Sequence, residues 1–273
     1  MIRGMEKIVG KYCEMPGLVK RPMWRIWHRL LIRFDKDVRA KCLNYGYHEE
    51  EPMERLGLNK EDEENRYGIQ LYNHVAARIP LDRKDIVEVG SGRGGGASFL
   101  ARHYGPRTYR AIDISPKLIE FCNRYYDIKG LSFHYGNAEN LPVGNQSCDV
   151  VVNVESARCY RSIRTFFSEV NRILRPGGYF MFADMISPDH LPEILKLLKS
   201  GGFEIHDQQD ITSNVVMALD QDSLRRKTLI RRRSPRFLSK AFAQFAGTRG
   251  TERYDSFRNG TFQYWSFVMV RAA

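Results

Sequence analysis

Residues 85–97 read Asp-Ile-Val-Glu-Val-Gly-Ser-Gly-Arg-Gly-Gly-Gly-Ala, and few folds accommodate such a run. Ile86, Val87 and Val89 make a short apolar stretch suited to a strand buried on both faces. Gly90, Gly92, Gly94, Gly95 and Gly96 follow, and Ala97-Ser-Phe-Leu-Ala-Arg-His then opens a helical pattern. Strand, glycine turn and helix in that order begin a nucleotide-binding α/β unit. The glycines permit positive φ and leave backbone bare where a ligand must come close. The helix start offers unpaired N–H groups to an anion such as the carboxylate of a bound amino acid.

The remaining pattern repeats strand and helix. Tyr109–Asp113, Leu131–Tyr135, Asp149–Val154 and Tyr179–Asp184 read as strands, with helices over Pro116–Tyr126 and Ile163–Leu174 between them. Arg175-Pro-Gly-Gly178 reads as the cap that ends the second of these helices. A helix over Leu191–Ser200, closed by Gly201 and Gly202, precedes two last strands at Phe203–Ile211 and Tyr264–Val270. Seven strands with helices between them predict an α/β, Rossmann-like, mostly parallel sheet covered on both faces.

Glu88 bears on which nucleotide such a fold would take. Gly90-x-Gly92-x-x-Gly95 also fits a dinucleotide site, a weak pattern by itself. An acid two residues before the first glycine repels a pyrophosphate and attracts an ammonium or sulfonium. Asp113 ends the second strand about twenty residues beyond the glycines, where a carboxylate accepts two ribose hydroxyls. Ser115 and Pro116 supply a cap and first turn for the following helix.

No apolar run approaches the ~20 residues of a membrane span. The start, Met1-Ile-Arg-Gly-Met-Glu-Lys, lacks a signal peptide's apolar core. The five cysteines (13, 42, 122, 148 and 159) form no CxxC pair, so neither a disulfide framework nor a zinc site is expected, and the expected location is cytoplasmic. The net charge of +11 favours anionic partners. Much of it lies in one stretch, Asp222–Phe245, with apolar residues at helical spacing and Pro235 dividing it into two helices. A basic insert before the last strand suits a lid over the substrate, or peripheral contact with an anionic membrane; a solvated face is the plain alternative. It has no recognisable RNA-binding signature, so no specific nucleic acid is expected.

The N-terminal third reads as a helical cap over residues 1–80, before a core over 81–273 with its lid near 212–260. Trp24, Trp27, Leu31 and Phe34 share a helical face. Tyr45 and Tyr47 flank Gly46 on a loop that either closes over a ligand or packs down, and Glu49–Glu64 carries an acidic patch expected to be solvated. Ile69, Tyr72 and Ala76 mark a helix over Arg66–Ile79.

Glu88-x-Gly90-x-Gly92-x-Gly94 resembles the first motif of class I S-adenosylmethionine-dependent methyltransferases. From about Met23 onward the chain is similar to the small-molecule branch that includes the phthiotriol and phenolphthiotriol dimycocerosate methyltransferases, and more distantly to sterol and tocopherol methyltransferases. The likeness rests on Val87–Leu100, Gly136-Asn-Ala-Glu-Asn-Leu-Pro142, Asp149–Glu155 with Cys159-Tyr160, and Leu174–Phe180. Trp24-Arg-Ile-Trp27 and Glu64-Asn-Arg66 add to it. The resemblance implies S-adenosylmethionine held by Tyr45, Glu88, Gly90, Gly92, Gly94, Asp113, Ile114, Asn137, Ala138, Glu139 and Asn153. It implies methyl transfer to a hydroxyl of a hydrophobic, lipid- or polyketide-like acceptor, with C-methylation as the alternative chemistry.

Two positions depart from these relatives. Asn137 stands where many have aspartate. Arg158 stands where phthiotriol-type relatives have histidine, and a guanidinium cannot take a proton at neutral pH. Arg158 is then expected to bind an anionic acceptor or to pair with Glu155. The proton falls to His48, whose ordinary pKa near ~6.5 suits the task, or to Tyr160. The competing reading is a binding module that has lost its base and acts through the basic insert.

Overall fold

The computed structural model describes residues 40–49 and 57–272. The aromatic face expected at Trp24–Phe34 and the acids Glu50, Glu51 and Glu54 lie outside them. Seven strands form one sheet: β1 (Asp85–Val89), β2 (Thr108–Asp113), β3 (Leu131–Tyr135), β4 (Cys148–Val154), β5 (Leu174–Ile186), β6 (Phe203–Asp210) and β7 (Gln263–Arg271). Their order is β3-β2-β1-β4-β5-β7-β6. The first five run parallel, and β7 is antiparallel to both β5 and β6. The chain moves outward from β1 to β3 and then returns to place β4 on the other side of β1. That reversal opens a crevice at the carboxyl ends of β1 and β4.

Strand pleating divides the core. Ile86, Val150, Val152, Met181 and Val268 share one hydrophobic cluster with helices α2 (Arg66–Ala76) and α3 (Gly95–Tyr104). Val87, Val89, Val151, Phe180, Phe182 and Phe267 belong to a second cluster, with α5 (Ile163–Ile173) and α6 (Leu191–Ser200). Alternate residues of β1 and β4 thus enter opposite layers, and both strands are buried along almost their whole length. The short α1 (Lys60–Glu63) precedes α2, and α4 (Pro116–Tyr125) joins β2 to β3. Ser115 caps α4 by accepting from the Leu118 N–H, with Pro116 in the first turn. The acidic patch is not uniformly solvated: Asp62 is buried and paired with Arg102 at 2.6 Å.

Two local expectations are corrected. Helix α5 ends at Ile173 and β5 begins at once, so Arg175–Gly178 lies inside a strand and caps nothing. Gly177 there has φ +73°, and the β4–β5 register slips between Cys148 and Val150, a bulge that absorbs the glycines. The insert's first helix, α7, spans Thr212–Arg233 and starts ten residues before the expected Asp222. Its buried stripe, Val215, Ala218, Leu219 and Asp222, is partly polar and so hides the period. After Pro235 come α8 (Ser239–Phe245) and α9 (Glu252–Arg258). No helix among the described residues is long and apolar enough to cross a membrane.

Candidate cofactor and acceptor site

A cavity occupies the β1–β4 crevice. Its walls are the turn after β1 (Gly90–Arg93), the end of β2 (Ile112–Ile114), the loop after β3 (Gly136–Ala138) and the segment after β4 (Val154–Ser156 and Arg158–Tyr160). Residues Lys41–Asn44, Tyr72 of α2 and Phe245 of α8 complete it.

The glycines have separate tasks. Gly92 has φ +56°, and a Cβ built there meets nothing within 4 Å, so its α-carbon faces the open cavity. Gly94 has φ +76° and is not in the wall; its Cβ would stand 2.7 Å from the Phe133 ring. At Gly90 a Cβ would fall 2.3 Å from Ser156 Oγ, and at Gly96 within 2.1 Å of the Tyr72 ring. The turn is therefore bare toward the cavity at Gly92 and tightly packed behind it.

Asp113 stands opposite. Its Oδ2 accepts from the Gly92 N–H at 2.9 Å and its Oδ1 from the Ser115 N–H at 2.9 Å. Burial pushes its pKa up to about 6. Ile114, Asn137 and Ala138 line the same wall, and Asn137 Oδ1 accepts from the Glu139 N–H at 3.2 Å.

Several expected residues are not brought to the cavity. Glu88 is wholly buried behind it; Tyr72 OH donates to its Oε1 and Tyr109 OH to its Oε2, both at 2.8 Å. The pleat sends Glu88 to the Ile86 face beneath α2, not to the end of the strand. Burial raises its pKa to about 7. Tyr45 packs edge-on against Phe257 at 5.1 Å, and Tyr47 stacks on His74 at 4.2 Å, so the tyrosine loop is packed down. His48 stacks on Tyr67 and its N–H donates to the Asn214 carbonyl; it is not in the cavity wall. Glu139 turns away and accepts from the Arg161 and Ser162 N–H groups at the start of α5. Asn153 lies under the floor, where its Nδ2 donates to the Val89 carbonyl at 2.8 Å and to Ser156 Oγ at 2.7 Å.

Arg158 and Tyr160 are in the wall. Arg158 Nη2 donates to Glu155 Oε1 at 2.9 Å and its Nη1 to Asp184 Oδ1 at 2.7 Å. Burial opposes its charge, but the two carboxylates outweigh that and hold its pKa well above the ordinary arginine value. With two acids already on it, the guanidinium is not waiting for an anionic acceptor. The Tyr160 hydroxyl lies 2.8 Å from Ser156 Oγ and 3.0 Å from Asn153 Nδ2, and burial raises its pKa.

Glu155 is the functional candidate that sequence reasoning passed over. It follows the most apolar strand, lines the cavity and is buried at φ +57°, a left-handed conformation that a non-glycine residue adopts only under constraint. Its Oε2 accepts from the Tyr45 N–H at 2.8 Å and from Tyr264 OH at 3.1 Å. Burial raises its pKa, against the pull of Arg158.

The wall is also chemically unfinished. Ser91 Oγ and Asn44 Oδ1 are buried, line the cavity and have no hydrogen-bond partner among the described residues. Orphaned buried acceptors and donors are costly unless a ligand engages them. Together with the bare Gly92 and the Asp113 carboxylate, they fit a ligand that carries both hydroxyl and amino-acid groups, as S-adenosylmethionine does. No group of three His, Cys, Asp or Glu that could hold a metal ion occurs among the described residues.

Residues 87–182 match the family described as a methyltransferase domain. A probable phthiotriol/phenolphthiotriol dimycocerosates methyltransferase of Mycobacterium ulcerans is 36% identical over 233 residues, covering 85% of this chain and 90% of that one. A fatty-acid O-methyltransferase of Mycolicibacterium smegmatis is 36% identical over 249 residues, covering 91% and 90%. Among solved structures, geranyl diphosphate C-methyltransferase from Streptomyces coelicolor, in complex with Mg2+, geranyl diphosphate and S-adenosyl-L-homocysteine, superposes with a TM-score of 0.63. It is 18% identical, covers 84% of this chain and 91% of that one, and so speaks to the fold. With relatives this similar along almost its whole length, the chain belongs to the S-adenosylmethionine-dependent methyltransferases.

Proposed function

We propose that the protein transfers a methyl group to a hydroxyl or carboxylate oxygen of a hydrophobic, lipid-like acceptor, and that Glu155 takes the proton when the acceptor is a hydroxyl. The acceptor class follows the names of the two relatives, which act on lipids. When bound, S-adenosylmethionine supplies an activated methyl, so the protein's work is alignment and, for a hydroxyl acceptor, removal of one proton. Asp113 would accept the ribose hydroxyls; Gly92 and Ser91 would meet the amino-acid end; Ile114, Asn137 and Ala138 would hold the adenine.

The observation that supports Glu155 most is its place in the wall. The cavity's titratable side chains include two carboxylates, Asp113 and Glu155. Asp113 is on the cofactor side. Cys42, pushed up to about 12 by burial, and Tyr160, also raised, are poor bases at neutral pH. His48 is not in the wall. Glu155, buried beside the apolar Val154 and held in place by Tyr45, Tyr264 and Arg158, is a carboxylate of raised pKa in the cavity wall.

The test uses methyl-labelled S-adenosylmethionine with a panel of long-chain fatty acids, lipid secondary alcohols, lipid phenols and alkenes. The expected result is label on oxygen. For Glu155→Gln, kcat with the alcohol and phenol acceptors should fall about 100-fold or more with cofactor affinity unchanged. Label on carbon alone overturns the O-transfer reading, and an undiminished Glu155→Gln overturns the base.

A further inference from the structure

The most basic part of the chain is also where it exposes its largest apolar side chains. From Ser223 to Gly250 there are nine arginines and lysines and no acid. Some of that charge is spent internally. Asp222 receives Arg225 at 2.6 Å and Arg226 at 2.8 Å, and Asp220 receives Arg249 at 3.0 Å. Lys227, Arg231, Arg232, Arg236 and Lys240 are exposed and enter no ion pair among the described residues. Leu224 is 78% exposed and Phe237 59%, the two highest values for large hydrophobics among the described residues.

The spacing gathers these groups. Leu224, Lys227 and Arg231 recur three and four apart on α7 and share one stripe. Phe237 is presented by the turn between α7 and α8, with Arg236 beside it. Leu224 and Phe237 put onto this basic face the two most exposed large apolar side chains among the described residues. Outward apolar side chains among exposed cations on one insert suit a surface that sits in the headgroup region of a membrane, with carbon below and ammonium or guanidinium at the phosphates.

The opposite side of the same insert reaches the reaction site. Phe245, at the end of α8, is part of the cavity wall. Arg226 of α7 donates to the Asn44 and Tyr45 carbonyls at 3.1 and 3.0 Å, holding the loop that covers the cavity. One element therefore offers an exposed apolar and cationic face and a wall of the acceptor space.

We propose that the α7–α8 insert docks on an anionic lipid bilayer, with Leu224 and Phe237 inserted and the five exposed cations at the headgroups, so that the acceptor enters beside Phe245 from the lipid phase. This rests on the reading that the acceptor is a lipid, and it names the surface that delivers it.

The test is co-sedimentation of the full chain with vesicles of phosphatidylcholine, with and without phosphatidylserine, at low and high salt. Binding should need phosphatidylserine and weaken as salt screens it. Arg231→Glu with Arg232→Glu and Arg236→Glu should lower it by more than about tenfold, and Leu224→Ser with Phe237→Ser by about tenfold. In both variants circular dichroism, cofactor affinity and turnover of a water-soluble short-chain acceptor should match the unaltered protein. Equal binding of all forms, or preference for RNA over vesicles in competition, overturns the docking surface. Because vesicle binding is read without turnover, failure of docking with methylation of the soluble acceptor intact removes only this proposal. Docking without any O-methylation removes only the acceptor chemistry.

Discussion

Arg158 lies between Glu155, three residues before it at the end of β4, and Asp184, which arrives from β5. Its two terminal nitrogens are 2.9 and 2.7 Å from the two carboxylates, and its own N–H donates to Asp184 Oδ2 at 3.1 Å. Arg158 is thus the centre of a buried ion triad that ties β5 to the segment after β4.

Arg158→Ala leaves Glu155 and Asp184 buried with their common partner gone. The expected loss of stability is about 3–5 kcal/mol, the range for breaking one side of a buried charge network. Denaturant unfolding checks it. An unchanged unfolding midpoint together with a raised KM would return Arg158 to the role of an acceptor-binding residue.

Gly92 and Gly94 should respond differently to one added methyl. Gly92→Ala points into open space and carries only the left-handed backbone cost of about 1–2 kcal/mol. Its main effect should be weaker binding of S-adenosylmethionine by calorimetry. Gly94→Ala adds the same strain plus overlap with Phe133 and Tyr126, so it should lose stability by a further ~1–3 kcal/mol.

Asp113 sets a pH dependence on cofactor binding. Its pKa of about 6 means that the carboxylate gains a proton as pH falls through that value, and a protonated acid is the poorer acceptor for ribose hydroxyls. Affinity should therefore rise with pH up to about 7 and then level. Asp113→Ala should weaken binding by about 1.5–3 kcal/mol and flatten the curve. A wild-type affinity that does not change between acid and neutral pH would exclude the carboxylate from this role.

Glu88 makes a stability prediction of the opposite sign. Its folded pKa, about 7, is above the unfolded carboxylate value, so the folded state holds the proton longer. Stability is then greatest below the unfolded pKa and declines as pH rises toward 7. The shift corresponds to a loss on the order of 3 kcal/mol. Glu88→Gln keeps one acceptor oxygen, offers an N–H to the other tyrosine hydroxyl, and cannot ionise. Its unfolding free energy should vary less across that window, which parallel denaturant titrations at several pH values would show.

The sequence by itself determined what short-range periodicity carries. Ile86–Val89 and Asp149–Val154 are strands because an apolar run of that length suits a sheet covered on both faces. Gly92 and Asp113 were legible as residues of the cavity wall because the strand–turn–helix unit fixes where the first two strands of such a sheet end. What depends on orientation and on distant partners was decided only by tertiary structure. Glu88 was placed beside the ligand from its spacing, yet the pleat turns it under α2, where two tyrosines from elsewhere in the chain meet it. His48 was close to the tyrosine loop in sequence, but packing of Tyr45 and Tyr47 carries it away from the cavity. Arg158 pairs with an acid 26 residues away, a neighbour created by adjacent strands and invisible to local pattern. Leu224 and Phe237 belong to the apolar pattern of the insert, and only the fold shows that they face outward. A side chain's type and period follow from its neighbours along the chain, whereas the surface it meets depends on how whole elements pack.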